Sequence, residues 1–312
     1  MSQQPKILGE AEVNSILDKV DVRGALERAF KSLGKGHATQ PPQTLSLFPN
    51  DAGDFITYLG VLTEERVFGA KLSPYIPGTD HALVTAWTLL MSMDTGTPVL
   101  LCDSKRLTTE RTAAATIIAA DLLARPDASI LTIVGTGPVG LAHLRYAATL
   151  RNWKEVRLCS PLIREQQDLP RTLASGCPIL LHTDSAEAAD GADVVMLCTS
   201  SGKPVLDVAN LAPGVLVTSI STNVPNAHEI DPAYLPGFDV YCDYRATTPA
   251  AAGEMKLATA AGHWTPDRLI GDLPELLIGK AAKPTGDRPV FFRSIGLGLE
   301  DVAAAVAILN AV

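Results

Sequence analysis

Three places in the chain carry residues whose types and spacing can do chemistry. The first is LTIVGTGPVGLAHL, residues 131–144, where Gly135, Gly137 and Gly140 form a GxGxxG pattern between an apolar run and a segment with helical spacing. Gly135 permits a tight turn, Gly137 lets a pyrophosphate approach the backbone, and Gly140 lets the helix pack closely on the strand, with Pro138 and Val139 completing the turn. An anion at the start of that helix meets free N–H groups and the positive end of the dipole. The second is Lys71, inside the apolar extended segment FGAKLSPYIPG, where a solvated charge is out of place. A lysine there is either paired with an anion or has its pKa lowered by burial, which fits an acid/base lysine and a structural ion pair alike. The third is Arg111, in LTTERTAAA near the start of an otherwise apolar helix, with Thr108 as a candidate cap. Its planar guanidinium suits a bidentate clamp on a carboxylate, and residue type alone does not separate that role from a structural ion pair.

The cofactor preference is read farther along. Twenty residues beyond Gly140, where NAD-selecting domains place an acid for the ribose diol, the second strand ends at Ser160. Ser160 and Arg164 instead offer a hydroxyl and a cation for a 2′-phosphate, which favours NADP(H). The alternative is that Arg164 is a solvated surface charge.

These residues must be positioned by two domains, the default for a 312-residue chain. From about residue 129 short apolar runs (SILTIVG, EVRLCS, PILLHT, ADVVMLCTS, GVLVTSIS, FDVYCDY) alternate with helical or loop segments. That pattern predicts an α/β fold with a doubly wound, Rossmann-type parallel sheet over residues 127–289. Residues 1–126 read as a separate α+β domain. It has an amphipathic helix at VDVRGALERAFKSLGKG, extended segments at TLSLFPN, DFITYLGVL and FGAKLSPYI, and a hairpin at LVTAWTLLMSMDTGTPVLLCD turning at Asp-Thr-Gly. A long helix, LTTERTAAATIIAADLLA, crosses to the second domain. The tail, FFRSIGLGLEDVAAAVAILNA within residues 290–312, reads as helix returning to the first.

Composition narrows the function. A net charge of −8 without a Lys/Arg stripe argues against nucleic acid and anionic membranes as partners. No apolar run reaches the roughly 18 residues that span a bilayer, and MSQQPKILGEAEV lacks the features of a signal peptide, so a cytoplasmic location is expected. The five cysteines have no CxxC spacing and read as buried free thiols. The scattered histidines have no metal spacing, and GxSxG and HExxH are absent, which leaves hydrolase and metalloenzyme readings without support.

Taken together, FGAKLSPYIPG, DTGTPVLLCDSKRLTTERTAA, IVGTGPVG, ADVVMLCTSSGKPVL, AGE at 252–254 and FFRSIGLGLEDVAAA resemble the ornithine cyclodeaminase/μ-crystallin family. The resemblance spans nearly the whole chain, and the DxGxP-to-RTAA block is far more specific than the glycines. It implies a homodimer whose first domain binds substrate and dimerises, a nicotinamide cofactor, and hydride transfer at the α-carbon of an amino or imino acid. It also implies that Lys71 and Arg111 face the substrate. Thr85, Thr112, Ser200 with its neighbours Thr199 and Ser201, and Gly296 fall where cofactor contacts are expected. Two positions depart from the family pattern. Gln43 stands where many members carry an arginine for the substrate carboxylate, which leaves that carboxylate to Lys71 and Arg111. Asn223 stands where the cyclodeaminases carry an aspartate used in ring closure.

The expectation is an NADP(H)-dependent oxidoreductase on CH–NH2/C=N bonds that reversibly deaminates an L-amino acid. A basic one such as L-arginine is the best single choice, from Gln43 and a similarity to arginine dehydrogenases. Lys71 would serve as acid/base or carboxylate holder, Arg111 as clamp, and Asn223 as a hydrogen-bond partner of the amine or water. The alternative is a reductase of Δ1-pyrroline- or Δ1-piperideine-2-carboxylate. Cyclodeamination and a non-catalytic NADP-binding role rank below both.

Overall fold

The computed structural model describes residues 4–79, 81–222 and 224–312. Within it the chain divides into two compact units, Met1–Arg111 with Gly296–Val312, and Thr112–Ile295. The first contains β1 (Lys6–Leu8), α1 (Glu10–Leu17), α2 (Val22–Gly34), β2 (Ala38–Thr39), β3 (Thr44–Leu47), β4 (Asp54–Leu62), β5 (Val67–Ile76), β6 (Leu83–Val84), β7 (Trp87–Ser92) and β8 (Pro98–Asp103). Helix α3 (Lys105–Leu123) begins in this unit and ends in the second.

Helix α2 shows how the sequence builds the first unit. Val22, Ala25, Leu26, Ala29 and Phe30 recur at helical spacing and are all buried, and Asp21 caps the start by accepting from the Gly24 N–H at 2.8 Å. Strands β1, β8, β7, β5, β4 and β2 lie side by side in that order, with β3 on β4 and β6 on β5. All pairs are antiparallel except β1 with β8. The expected hairpin is present as β7 and β8, turning at Asp94, Thr95 and Gly96, the last at φ +67°.

The second unit holds β9 (Ile130–Val134), α4 (Pro138–Ala147), β10 (Glu155–Cys159), β11 (Ile179–His182), α5 (Ser185–Ala189), β12 (Val194–Leu197), β13 (Leu216–Ser219), β14 (Asp239–Cys242), α6 (Thr248–Ala251), α7 (Gly253–Ala260), β15 (Gly271–Asp272), α8 (Leu273–Leu277) and β16 (Val290–Arg293). Its sheet is wholly parallel, in the order β11-β10-β9-β12-β13-β16-β14-β15. Each of the six expected strands is present. The order reverses between β9 and β12, the point where such sheets bind ligands beyond the strand ends.

The chain ends in α9 (Gly298–Leu309), which belongs to the first unit and packs on β4, β5 and α2. One expectation for the tail is corrected. Residues 290–293, Val-Phe-Phe-Arg, form β16 between β13 and β14 and do not continue into helix. Three apolar residues and an arginine, all buried, carry no periodicity to separate strand from helix, and β16 fills its slot out of sequence order. No helix among the described residues is long and apolar enough to cross a membrane.

Candidate active site

In the first unit the site is built by side chains that meet from three elements. Lys71 points from the middle of β5 to the face covered by α9, directly opposite Tyr58 on β4 and Thr88 on β7. It is 1% exposed, and its Nζ lies 3.0 Å from both oxygens of Asp301, of which the contact to Oδ1 has hydrogen-bond geometry. The Tyr58 ring stands 4.1 Å from the same ammonium, and the Thr108 hydroxyl is at 3.4 Å. Burial works against the charge on Lys71 and outweighs the help of Asp301, so its pKa falls to about 8. Burial also pushes the Tyr58 phenol up to about 12, with Arg111 pulling the other way.

Arg111 reaches the same carboxylate from α3. Its Nε donates to Asp301 Oδ1 at 3.0 Å and its Nη1 to Glu300 Oε2 at 3.0 Å. Burial opposes its charge too, but the two acids outweigh it and hold the guanidinium protonated well above the ordinary arginine range. Lys71, Arg111, Glu300 and Asp301 thus form a buried cluster of two cations and two anions. The two meanings left open for Lys71 are both realised: it is paired, and its pKa is lowered. Thr108 does not cap α3. The helix begins at Lys105, and the Thr108 hydroxyl donates to the Ser104 carbonyl at 2.8 Å.

Glycines bring the two acids onto the sheet. A Cβ at Gly298 would lie 2.3 Å from the Leu59 carbonyl, and one at Gly60 would lie 2.8 Å from the Leu299 Cα. Only with both positions bare can the start of α9 rest on the β4 backbone. Gln40 secures that start by accepting from the Leu299 N–H at 2.8 Å. Gly296, at φ +73°, would place a Cβ 2.1 Å from Arg111 Nη1, and its carbonyl accepts from the Gln43 amide at 2.5 Å. The fold therefore gathers Gln43, Lys71, Arg111 and Gly296 in one place. Thr85 lies in the same unit, half-buried between β6 and β7. Asn223 lies outside the described residues.

In the second unit the site is built by backbone. Gly135 leaves β9 at φ +112°, and a Cβ there would stand 2.5 Å from the Cys198 carbonyl. A Cβ on Gly140 would meet the Gly135 carbonyl at 1.9 Å, whereas at Gly137 it would meet nothing within 4 Å. The turn is thus closed on its inner side and open at Gly137, the N-cap of α4, with Pro138 at the first helical position followed by Val139. This open backbone cradle at a helix start fits a dinucleotide pyrophosphate.

The neighbours of the turn are the other expected cofactor residues. Gly135 N–H donates to the Cys159 carbonyl at 2.8 Å, next to Ser160, and Thr199, Ser200 and Ser201 follow β12 after Cys198. Ser160 accepts from the Leu162 N–H at 3.3 Å and keeps its own proton to donate. Arg164 is exposed, without an ion-pair partner among the described residues. Thr112, half-buried on α3, is the first residue of this unit.

Sequence reasoning missed the groups that hold these pieces. Glu300 and Asp301 were not singled out in the sequence, although two acids in so apolar a segment were a usable signal. Glu229, fully buried, accepts five hydrogen bonds: from Thr199 N–H and Oγ1, the Ser219 hydroxyl, and the N–H groups of Ile220 and Ser221. It staples the ends of β12 and β13 together. Glu254, in the AGE segment, pairs with the buried Arg293 at 2.7 Å.

Comparison with known proteins bears on this arrangement. The chain is 51% identical over 310 residues to the NAD(P)H-dependent anabolic L-arginine dehydrogenase DauB of Pseudomonas aeruginosa, covering 97% of this chain and 96% of that protein. An archaeal alanine dehydrogenase dimer solved with NAD superposes with a TM-score of 0.86 at 25% identity, covering 98% of this chain and 95% of that one. The iminosuccinate reductase of Paracoccus denitrificans, solved with NAD+, shares the fold with a TM-score of 0.89 at 23% identity, over 99% and 96% of the two chains. The model of the ornithine cyclodeaminase/mu-crystallin family matches residues 3–312. With nearly its whole length matched, this chain belongs to the ornithine cyclodeaminase/mu-crystallin family.

Proposed function

We propose that this protein is an NAD(P)-dependent oxidoreductase of CH–NH2 and C=N bonds that reversibly deaminates an L-amino acid, with L-arginine as substrate. The observation that carries the reading is the 51% identity, end to end, with an L-arginine dehydrogenase. The chemistry of the first unit agrees with it. Arg111, held protonated, clamps the substrate carboxylate, and the Gln43 amide adds a neutral donor. Lys71, with a pKa of about 8, is poised near neutrality to take a proton from the α-ammonium group.

The glycine turn would hold the pyrophosphate of a nicotinamide dinucleotide, which would supply the hydride acceptor. Lys71 would take a proton from the α-ammonium group, freeing the nitrogen lone pair to form the C=N bond as the α C–H bond breaks toward that acceptor. Water then adds to carbon, and ammonia leaves to give the 2-oxo acid. Asn223 is assigned, on sequence alone, to hydrogen-bond the amine or that water. Thr85, Thr112, Thr199, Ser200, Ser201 and Gly296 are assigned as further cofactor contacts on the family pattern. NADP(H) is the proposed cofactor, because Ser160 and Arg164 offer a donor and a cation where NAD selection calls for an acid.

The chain is also proposed to act as a homodimer. The face of the first unit's sheet turned away from α9 exposes Leu59, Phe68, Leu72 and Trp87, each 38–46% accessible; Leu72 and Trp87 are register partners, and Leu59 lies opposite Ala70, between Phe68 and Leu72. A continuous apolar sheet face is costly to leave in water and marks an interface. Light scattering should give twice the 33.0 kDa chain mass, and Leu72→Asp should give the single mass.

The activity test is incubation with NADP and L-arginine. NADPH should appear in step with 2-oxo acid and ammonia. Fast NADPH consumption on cyclic imines, with no open-chain amino acid oxidised, would move the assignment to a ketimine reductase. Proline formed from L-ornithine at constant NADPH absorbance would make it a cyclodeaminase.

A further inference from the structure

Lys71 and Arg111 come to the site on separate elements, β5 and α3, which meet there in the 3.4 Å contact of Lys71 Nζ with the Thr108 hydroxyl. Both touch Asp301. Its carboxylate takes Lys71 Nζ at 3.0 Å and Arg111 Nε at 3.0 Å, and it is itself fully buried. Glu300, beside it on α9, grips Arg111 Nη1 at 3.0 Å, and its influence on the Lys71 charge ranks below that of Asp301. The groups facing Lys71 are Tyr58 from β4, Thr88 from β7, Thr108 and Arg111 from α3, and Glu300 and Asp301 from α9. Of these only the two acids carry the opposite charge.

We propose that Asp301 is the positioning residue of this site, fixing the Lys71 ammonium and the Arg111 guanidinium relative to one another, while Glu300 secures Arg111. The proposal rests on the reading that these two cations handle the substrate. Two cations this close repel each other in a dry interior, and a shared carboxylate holds them together. The carboxylate is rigid in turn, because the bare Gly298 and Gly60 let α9 sit on the β4 backbone. Its loss leaves two buried cations with one acid, and the lysine is the one able to discharge.

The test compares Asp301→Asn, Asp301→Glu and Glu300→Gln in the full-length enzyme, each first shown to bind NADPH with wild-type affinity by fluorescence titration. In amino-acid oxidation, D301N should lower kcat about 100-fold. It should also move the limb of the pH profile that belongs to Lys71 to lower pH by about one unit or more. E300Q should raise KM for the amino acid about tenfold, with kcat and the limb near wild type. D301E keeps the charge but displaces it by a methylene, so its limb should stay while kcat falls.

A D301N or D301E enzyme with wild-type kcat would overturn the proposal, as would an E300Q limb displaced as far as that of D301N. If D301N fails to fold, the D301E and E300Q results decide alone. Lysine-selective NMR, with Lys71 assigned through Lys71→Met, follows its titration without any substrate. A lower Lys71 pKa in D301N beside a wild type inert toward amino acids would uphold the inference and sink the reading of function. An unmoved Lys71 pKa in an active enzyme would do the reverse.

Discussion

The two units hold their candidate sites by opposite means. In the second, the geometry is local backbone: one strand, one turn and one helix start, with glycines at 135, 137 and 140 setting how closely chain meets chain. In the first, the geometry is four charged side chains from β5, α3 and α9, distant in sequence, whose charges cancel in a dry interior. The backbone site should depend little on the exposed side chains around it and heavily on its glycines, where an added Cβ would meet backbone at 2.5 Å at Gly135 and 1.9 Å at Gly140. The side-chain site has the reverse weakness, since removing one charge leaves another buried without compensation. Damage to one should therefore be readable in kcat and damage to the other in cofactor affinity.

The largest expected effect comes from breaking the first site alone. Lys71→Met keeps length and removes charge, and kcat should fall by about 1,000-fold, roughly 4 kcal/mol of barrier. NADPH should still bind, because the glycine turn lies in the other unit. In the wild type, oxidation should accelerate as pH rises through about 8, where burial has placed the Lys71 pKa and the neutral amine able to accept a proton accumulates. Activity of K71M within tenfold of wild type would return Lys71 to a purely structural pair.

Breaking the second site alone should give the complementary pattern. Gly140→Ala adds a Cβ that would stand 1.9 Å from the Gly135 carbonyl, so the turn must open. NADPH affinity should fall by about 10- to 100-fold, and kcat at saturating cofactor should fall much less. Equal losses in both would mean that the two sites are not separable in the way their construction implies.

This contrast also explains what was legible in the sequence. The glycine turn was readable because all of its parts lie within one strand–turn–helix unit, and the parallel strands were readable because each is a short apolar run between breaks. Lys71 and Arg111 were noticeable as charges in apolar surroundings, but their meaning depended on Asp301, far along the chain. No local pattern links a lysine in a strand to an acid at the start of the last helix; only the packing of α9 on β4 does. Glu229 was hidden for the same reason, since its five donors come from the ends of two other strands. Strand β16 escaped because its place in the sheet is set by neighbours that follow a different order from the sequence.

The smallest expected effect probes the edge of the backbone site, where a side chain adds selectivity to a cradle that is otherwise indifferent to it. Arg164 is exposed just beyond β10, so any contribution it makes to binding is screened by water and by salt. A 2′-phosphate held there by one cation and the Ser160 hydroxyl should still bind more tightly than a bare ribose. Arg164→Ala should raise KM for NADP about tenfold, equivalent to roughly 1.4 kcal/mol, and leave KM for NAD unchanged because NAD has no phosphate to lose. Raising the salt concentration should narrow the wild-type preference in the same direction, since the contact is a surface charge pair, while leaving kcat alone. A wild type that prefers NAD, or an R164A enzyme whose KM rises equally for both cofactors, would show that the residue shapes the turn and does not read the phosphate.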